Sequence, residues 1–323
     1  MARLATWIAG AAFAAALAAA GMSRAAAADT VRLGKAQRGA WTFLVADVGR
    51  EAGLFAKYGI DLDIVDLAGD AKVQQAFAAN SIDFGLGSGP GLAFAAKGSP
   101  VIGVAAFAGA PRNISLSVRY DSPIRSVTDI KGKRVSVSTV GSLSDWLVKQ
   151  VSIKEGWGPN GVIPVPLGAI NASVAALKTG EVDAVMLATE AGFQLEAEHQ
   201  GRVLVAMDRF APHFITHVVF ARKRILADDP ALIDRFLKAF FASIALAKHD
   251  KAKMSAAAER VIHLSPAVAD RVYDDEISMF SDDGRFDPAA VEALKTSFVE
   301  MGTLNEKPAD DQLFTTRFLP VRP

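Results

Sequence analysis

The sequence predicts an α/β fold of two lobes, each a mostly parallel sheet with flanking helices. Residues 82–86 are apolar without alternation, which is typical of a parallel strand covered on both faces. The pattern around this strand recurs 100 residues later, where residues 176–183 (ALKTGEVD) align with residues 76–83 (AFAANSID). A hydroxyl residue follows each copy, Ser88 in the first and Thr189 in the second. Because open α/β sheets bind ligands beyond the carboxyl ends of their strands, two such units predict two lobes facing each other across a cleft.

The N-terminal segment, residues 1–28, has the pattern of a signal peptide. Arg3 precedes an Ala-rich apolar run over residues 7–20, and small residues follow up to Ala28. A membrane anchor is the alternative, but the apolar run is short for a span and Arg24 interrupts its end. We therefore expect cleavage near Ala28 and a mature chain in the periplasm.

The composition excludes several kinds of site and partner. The 323 residues include no cysteine, which excludes a disulfide framework, a thiolate metal site, a catalytic thiol and a lipid-attachment cysteine. The 35 Lys and Arg residues balance the 35 Asp and Glu residues, so no overall charge attracts nucleic acid or an anionic membrane. We expect a monomer without a cofactor or a bound metal.

In the first lobe, the predicted strands alternate with helices that end at Gly or Asn. Thr42 has the side chain of an N-cap, and Gly53 ends the helix that follows. Asp70 begins an Ala-rich helix, and the turn after Ser88 opens another, which Gly98 ends. The predicted strands of this lobe begin at residue 31 and occupy residues 61–67, 82–86, 101–107 and, after the chain returns, 217–222.

The second lobe is predicted to begin near the helix-breaking residues 121–123 (DSP), which follow an alternating strand over residues 114–119. One helical turn over residues 127–133 comes next. Further strands are predicted over residues 134–138, 162–167, 182–187 and 202–207, with helices over 142–155, 173–178 and 189–199. The predicted boundaries are 119–210 for this lobe, and 29–118 together with 211–323 for a discontinuous first lobe.

The remainder of the chain is predicted to be helical. Asp229, Ser265 and Asp287 each precede a proline, which pairs an N-cap residue with Pro at N1. Residues 230–249 carry an apolar stripe at helical spacing, which predicts a face buried against the first lobe. The stripe consists of Ile233, Phe236, Leu237, Phe240, Phe241 and Ile244. Residues 310–323 are predicted to form a helical tail.

Six short segments form a set that is more specific together than any one is alone. They are residues 51–62 (EAGLFAKYGIDL), 82–85 (IDFG), 96–100 (AKGSP), 121–124 (DSPI), 129–135 (DIKGKRV) and 180–184 (GEVDA). In order and spacing they resemble the solute-binding proteins of ABC importers for nitrate, sulfonates and taurine, and for thiamine-precursor pyrimidines. The resemblance covers about residues 31–225.

The resemblance implies a type II periplasmic binding protein, with two interlobe crossings and closure on its ligand by hinge motion. It implies no enzymatic activity, and capture of a small organic anion such as a sulfonate, taurine, nitrate or an aromatic carboxylate. A thiamine-precursor pyrimidine is the alternative ligand. The implied partner is an ABC permease with a cytoplasmic ATPase, because this chain has no GxxxxGK[ST] motif of its own.

The chain departs from the family pattern after the second repeat strand. The family commonly has Trp-Glu-Pro there, whereas this chain has Thr189, Glu190 and Ala191, so that only Glu190 matches. Related eukaryotic pyrimidine synthases carry a cysteine-rich motif, and its absence here argues against that activity. Glu190 is expected either to pair with an arginine or to indicate a ligand that carries an amine.

Helix N-termini at the ends of the strands predict where an anion binds, because their unpaired N–H groups carry a partial positive charge. Ser88 and Gly89 form such a start in the first lobe. Ser138, Thr139 and Ser142 form another in the second lobe. Ordinary helix capping is the alternative for each of these residues.

Loops beside the predicted cleft supply further candidates. Gln37, Arg38 and Trp41 follow the first strand, and an arginine can hold a carboxylate or sulfonate through two hydrogen bonds. A solvated arginine beside a core tryptophan is the alternative. Arg112, with Asn113 beside it, precedes the first crossing and is expected on the hinge side of the cleft.

The second lobe adds Asn171, Thr189 and Glu190, which lie at predicted helix starts on the cleft side. Two other functions remain open, a periplasmic hydrolase and a ligand-sensing module that docks on a membrane receptor. A hydrolase needs a nucleophile within reach of a base, and no such set is visible in the sequence. His213 and His217 are interpreted as surface or core histidines, because their spacing on a strand does not suit one metal ion.

Overall fold

The structure is a computed structural model that describes residues 28–37, 39–67, 69–168 and 170–323. All but the last residue of the predicted signal peptide lie outside the described residues, as does Arg38. Within the described part of the chain, no helix combines the length and the apolar character that crossing a membrane requires.

Strands and helices alternate through the first two thirds of the chain, and helices follow. The strands are β1 (Asp29–Lys35), β2 (Ile60–Asp66), β3 (Phe84–Ser88), β4 (Val101–Ala108), β5 (Ile114–Arg119), β6 (Arg134–Val137), β7 (Ile163–Pro166), β8 (Ala184–Ala188), β9 (Gly201–Ala206) and β10 (His217–Arg222). The α-helices are α1 (Leu44–Glu51), α2 (Leu54–Lys57), α3 (Asp70–Ala78), α4 (Leu92–Ala96), α5 (Leu143–Lys154), α6 (Ile170–Thr179), α7 (Thr189–Ala197), α8 (Lys223–Asp228), α9 (Pro230–His249), α10 (Lys251–Ile262), α11 (Pro266–Glu276), α12 (Pro288–Glu300) and α13 (Asp310–Leu313). Short 3-10 helices lie at Trp41–Phe43, Gly89–Gly91, Val127–Ile130, Met207–Arg209 and Ile277–Met279.

The described strands form two sheets of the same design. The first sheet has the order β2-β1-β3-β10-β4 and the second the order β7-β6-β8-β5-β9. In each sheet four strands run in one direction, and the strand next to one edge, β10 or β5, runs in the other. Each sheet with its helices forms one lobe. The two-lobed, mostly parallel α/β architecture predicted from the sequence is therefore confirmed.

The sequence repeat has the same structural basis in both lobes. Asp83, just before β3, accepts hydrogen bonds at 3.0 Å from the backbone N–H and from the Nε of Arg32 in β1. Asp183, just before β8, accepts hydrogen bonds from the backbone N–H of Arg134 in β6 at 2.9 Å and from its Nε at 3.2 Å. In each lobe one aspartate thus joins two neighbouring parallel strands, and this explains why the repeat is centred on Asp.

Two segments cross between the sheets. Residues 109–113 lead from β4 to β5, and residues 207–216 lead from β9 to β10. The sequence-based boundary between residues 118 and 119 puts β5 in the first lobe, whereas β5 pairs with β8 and β9 of the second sheet. The boundary therefore moves to the residues before β5. An alternating pattern identifies a strand, but only the pairing register shows which sheet the strand joins.

The C-terminal helices pack on the first lobe, as predicted. The six apolar side chains of the predicted stripe in α9 are each at most 1% exposed. Phe236 stacks on Phe84 of β3, with ring centroids 4.0 Å apart and an interplanar angle of 5°. The prediction of a helical tail is wrong beyond α13. There Phe314 leaves the helix, bridges to Gly103 and stacks on Phe286 with centroids 4.1 Å apart.

The two lobes also contact each other away from the crossings. The indole N–H of Trp146 in α5 donates to Oε2 of Glu300 in α12 at 2.6 Å. Elsewhere, the guanidinium of Arg271 in α11 lies 3.7 Å from the ring centroid of Phe193 in α7 and pairs with Glu196. These contacts join the second lobe to helices packed on the first, and they enclose the space between the two sheets.

Candidate functional site

A cavity of about 310 Å³, which we call the cleft cavity, lies where the lobes and the two crossings meet. Its polar lining residues are Gln37, Asp70, Ser88, Asn113, Ser138, Ser144, Ser173, Glu190, Thr216 and His217. Its larger apolar lining residues are Phe43, Ile114, Leu143, Ile170, Met186 and Leu187. Ser88 and Ala188 end the equivalent strands β3 and β8, so the cavity occupies the place predicted from the carboxyl ends of the strands.

Asp70 and Ser88 form a tight pair in the first lobe. The backbone N–H of Ser88 donates to Asp70 Oδ1 at 2.9 Å, and the Ser88 hydroxyl donates to Oδ2 at 2.6 Å. The same hydroxyl oxygen accepts the N–H of Gly91 at 3.2 Å, which caps the short helix. Desolvation raises the pKa of Asp70, and the hydrogen bonds from Ser88 oppose this effect.

This pairing changes the predicted anion site at the turn after β3. The N–H of Ser88 donates to Asp70, and the N–H of Gly91 donates to the Ser88 hydroxyl. The N–H of Gly89 donates to the Thr216 carbonyl at 2.9 Å. Pro90 has no N–H. A ligand oxyanion at this turn would therefore compete with acceptors that the protein already supplies.

The two crossings bring Asn113 and His217 together beside Thr42. The Nε2 of His217 lies 3.0 Å from the Thr42 hydroxyl and 3.1 Å from Nδ2 of Asn113. The imidazole also lies against Phe43, with centroids 4.8 Å apart, and stacks on Phe107 at 5.5 Å. Burial lowers the pKa of His217 to about 3, so the ring is neutral at physiological pH.

The wall from the second lobe is rich in serine hydroxyls. Ser144 accepts the backbone N–H of Ser138 at 2.9 Å, and its hydroxyl lies 3.0 Å from the hydroxyls of Ser138 and Ser142. Ser142 caps α5 by accepting the N–H of Asp145 at 3.3 Å. Ser136 donates to Ser173 at 2.6 Å. A hydroxyl can donate or accept a hydrogen bond, so this wall can bind a ligand group that is a donor or one that is an acceptor.

Glu190 lies in the first turn of α7 and reaches the first lobe, where its Oε1 accepts the backbone N–H of Trp41 at 3.5 Å. Burial raises the pKa of Glu190 to about 7. Glu276 is fully buried, and neither of its carboxyl oxygens has a hydrogen-bond partner in the described residues. Burial, together with the charge of Glu190, raises the pKa of Glu276 well above its ordinary value. Two neighbouring carboxyls in such surroundings do not both ionise, so the pair retains a proton at neutral pH.

Five of the residues predicted from the sequence line the cleft cavity: Gln37, Ser88, Asn113, Ser138 and Glu190. Arg38 lies outside the described residues. Trp41 is 1% exposed and stacks on Phe280 with centroids 5.7 Å apart.

The remaining predicted residues do not line the cleft cavity. Arg112 binds Asp208 at 3.0 Å and Asp275 at 2.7 Å, and its carbonyl accepts the Thr189 hydroxyl at 2.9 Å. Arg112 and Thr189 line a different cavity, of about 540 Å³. Gly89, Thr139, Ser142 and Asn171 also lie outside the lining of the cleft cavity.

Residues that the sequence-based selection missed come mostly from the crossings and from helix starts. They are Asp70, Ser144, Ser173, Thr216 and His217. Asn113, which the sequence places with Arg112 on the hinge side of the cleft, lines the cavity although Arg112 does not. Nothing local distinguishes His217 from a core histidine, because its position depends on how β10 returns between β3 and β4.

The lining that the structure describes is acidic rather than basic. Asp70 and Glu190 contribute two carboxyl groups, and no Lys or Arg is among the described lining residues. Across the described chain, no group of three or more His, Asp or Glu side chains is placed to hold a metal ion. The cavity therefore presents hydroxyl, amide, imidazole and carboxyl groups to a ligand.

We expect Gly89→Ala to destabilise the protein although Gly89 does not line the cavity. A Cβ at this position would lie 1.9 Å from the carbonyl oxygen of Ile215, so the second crossing would have to move. Overpacking of this kind lowers the free energy of unfolding by about 1–3 kcal/mol, which urea denaturation would measure. Gly109→Ala is the control, because its Cβ would meet only the Met279 carbonyl at 3.8 Å. Equal stability of the two variants would contradict this account.

Comparison with known proteins relates the fold to solute-binding proteins. Among solved structures, the periplasmic aliphatic sulphonate-binding protein SsuA of Escherichia coli has 20% identity and a TM-score of 0.76, over 89% of this chain and 92% of that chain. The alkanesulfonate-binding protein SsuA of Xanthomonas axonopodis pv. citri, bound to MOPS, has 20% identity and a TM-score of 0.71, over 88% and 96%. The desulfurization enzyme DszB shares the fold as well, with 16% identity and a TM-score of 0.65, over 90% and 97%. At these identities the similarity shows the fold alone.

Sequence comparison identifies the family. A relative from Haemophilus influenzae, named as a thiamine biosynthesis protein, is 29% identical over 144 residues. The match spans 43% of this chain and 43% of that relative, so less than half of the relative's length is covered. The family model described as NMT1/THI5 like matches residues 42–252, which is more than half of this chain. The chain therefore belongs to the NMT1/THI5-like family.

Proposed function

We propose that this protein is the substrate-binding component of an ABC importer and that it captures a small organic molecule between its lobes by hinge closure. The observation that carries the proposal is the cleft cavity, whose lining comes from both lobes and both crossings. A ligand in such a place contacts all the parts that move relative to one another on closure. The sulfonate-binding proteins of the same fold support the proposal. Its partner would be a permease with a cytoplasmic ATPase, and its compartment the periplasm.

The described lining favours a ligand that carries N–H groups, such as an aminopyrimidine. Because the pKa of Glu190 is about 7, this carboxyl is partly protonated near neutral pH, and in its protonated form it offers an O–H donor beside a carbonyl acceptor. An amino group next to a ring nitrogen offers the complementary donor and acceptor. Neutral His217 and Asn113 add further polar contacts without a positive charge. The relative named as a thiamine biosynthesis protein also supports this ligand class.

A sulfonate or another small organic anion is the second candidate ligand. The hydroxyls of Ser138, Ser142 and Ser144 cluster at the N-terminus of α5, where the helix dipole favours negative charge. Arg38, which follows Gln37 in the sequence, would supply the bidentate cation that a sulfonate prefers. The sequence alone favours this class, whereas the described carboxyl groups favour the aminopyrimidine.

Binding is proposed rather than catalysis, although an enzyme shares the fold. A serine nucleophile needs a general base whose pKa lies near the working pH. Among the described lining residues His217 is the imidazole, and its pKa of about 3 makes it a weak base. The Nε2 of His217 also lies against Thr42 and Asn113.

Glu190 has a pKa of about 7, but its carboxyl accepts the N–H of Trp41, and among the described residues no hydrogen bond joins it to a serine hydroxyl. The Ser88 hydroxyl donates to Asp70, but its oxygen also accepts the N–H of Gly91 as a helix cap.

A thermal-shift screen tests the proposed function. The purified chain without residues 1–28 would be unfolded and refolded to release any ligand carried through purification. The panel would contain aminopyrimidines, alkyl and aryl sulfonates, taurine, nitrate and aromatic carboxylates. A compound that binds only the folded state raises the melting temperature by mass action. A panel without a single stabilising compound would overturn the proposal as it stands.

Two variants decide between the ligand classes. Glu190→Ala is expected to weaken aminopyrimidine binding by about tenfold or more, because it removes both the donor and the acceptor that hydrogen-bond the ligand. Arg38→Ala is expected to weaken sulfonate binding to a similar extent, while Ser88→Ala weakens both classes by disturbing Asp70. Calorimetric titration would measure these affinities, with Glu306→Ala at an exposed position as control. Wild-type affinity in all three test variants would show that the ligand binds elsewhere.

A further inference from the structure

The cleft cavity continues into a second space, which we call the outer chamber. The outer chamber has a volume of about 640 Å³. It shares Ala36, Gln37, Gly69, Ile170, Ala188 and Glu190 with the lining of the cleft cavity. Because the same residues line both spaces, the two spaces are adjacent, and a ligand in the cleft cavity can carry a group directed toward the outer chamber.

The outer chamber differs from the cleft cavity in chemistry. Beyond the shared residues, its lining consists of the apolar side chains of Leu67, Ala191, Ile262 and Leu264, the polar side chains of Gln194 and His263, and Gly39. The cleft cavity, in contrast, presents serine hydroxyls, an amide, an imidazole and two carboxyl groups. The combined space therefore has one polar end and one mainly apolar end.

Both lobes build the outer chamber. The connection between α10 and α11, which includes Leu264, belongs to the helices packed on the first lobe. Ala191 in α7 and Ile170 at the start of α6 belong to the second lobe. Ile170 is 52% exposed, which leaves much of a large apolar side chain in water. A ligand group that covered Ile170 would remove this surface from water and would favour the closed arrangement of the lobes.

We propose that the outer chamber is a second binding subsite, which takes an apolar or aromatic substituent attached to the polar head in the cleft cavity. This inference rests on the proposed function and narrows its substrate class to two-part molecules. The head is an aminopyrimidine or a sulfonate, and the extension is an uncharged apolar group. Ala191 and Leu264 determine specificity for the extension, because they lie beyond the shared residues and contribute apolar surface from opposite lobes.

Two matched pairs of probes test the subsite by calorimetric titration. One pair is an aminopyrimidine alcohol and its benzyl ether, and the other is ethanesulfonate and phenylethanesulfonate. In the pair whose head group binds, the extended probe is expected to bind about tenfold more tightly than the compact probe, because its extension buries apolar surface.

Substitutions in the chamber supply the decisive comparison. Ala191→Trp fills the outer chamber and should abolish the advantage of the extended probe while the compact probe still binds. Ala197→Trp, at an exposed position of the same helix, is the matched control and should keep the advantage. Leu264→Ala removes apolar contact without adding bulk, and should reduce the advantage even if Ala191→Trp fails to fold.

The possible results separate this inference from the proposed function. Equal affinity of the compact and extended probes in the wild-type protein, or an advantage that survives both chamber variants, would overturn the subsite and leave the cleft cavity as the binding site. Failure of all four probes to bind the wild-type protein would overturn the proposed ligand classes and the subsite with them.

Discussion

Replacing Lys35 by methionine is expected to lower the free energy of unfolding by about 3–5 kcal/mol, because it breaks a buried ion pair by removing one partner. Lys35 ends β1 and is 1% exposed. Its ammonium group lies 2.9 Å from Asp47 and 3.2 Å from Asp66. Removing it leaves the buried Asp47 carboxylate without its nearest cation. The loop that follows Lys35 carries Ala36 and Gln37, so the cleft wall would be weakened as well.

The measurement is urea unfolding at neutral pH, supported by a fall in melting temperature of roughly 10 °C. The double variant Lys35→Met/Asp47→Leu should recover much of the lost stability, because it leaves no unpaired charge at Asp47 in the interior. Lys307→Met is the control, since Lys307 pairs with Glu292 at the surface, and exposed pairs contribute about 0–1 kcal/mol. A Lys35 variant no less stable than the Lys307 variant would contradict the argument.

The fold was predictable because its main signals are local and occur twice. The buried strands β3 and β8 are recognisable by their unbroken apolar runs. The aspartate before each strand repeats because each one binds the arginine of a neighbouring strand. The sheet joined by β5 was not predictable, because Ser115 and Ser117 are fully buried and the usual alternation of polar and apolar side chains does not show their surroundings. Pairing partners from distant parts of the chain decide that point.

The site was predictable where it depends on the ends of strands and unpredictable where it depends on the crossings. Ser88 and Glu190 follow from the rule that ligands bind beyond the carboxyl ends of parallel strands. Asn113 and His217 are 104 residues apart and meet only because the two crossings run side by side. Arg112 has a side chain that can bind an anionic ligand, but it pairs with Asp208 and Asp275 instead. Neither the contact between Asn113 and His217 nor the pairing of Arg112 with the two aspartates is visible in the local sequence.

Replacing Glu190 by glutamine is expected to stabilise the protein at alkaline pH by about 3 kcal/mol, with little effect at pH ~4. In the folded state burial raises the pKa of Glu190 to about 7, whereas in the unfolded chain it keeps its ordinary value near 4.5. Below the lower value both states hold the proton. As the pH rises, the unfolded chain releases it first, so the wild-type protein loses stability until the folded state also releases the proton near pH 7. Glutamine carries no such proton and avoids this loss.

Unfolding free energies measured by urea denaturation between pH ~5 and ~8 test this prediction, with the exposed Glu306→Gln as control. The groups that share the surroundings of Glu276 with Glu190 are Asp275 and Arg112. Burial and the charges of Glu190 and Asp275 raise the pKa of Glu276, and Arg112 opposes them. Because the net effect is a raised pKa, Glu276→Gln should also flatten the profile. Curves for Glu190→Gln and Glu276→Gln that run parallel to the wild-type curve would show that the pair does not titrate in this range. A flattened curve would show that the pair titrates in this range, and because Glu190 lines the cleft cavity we would then expect ligand affinity to depend on pH as well.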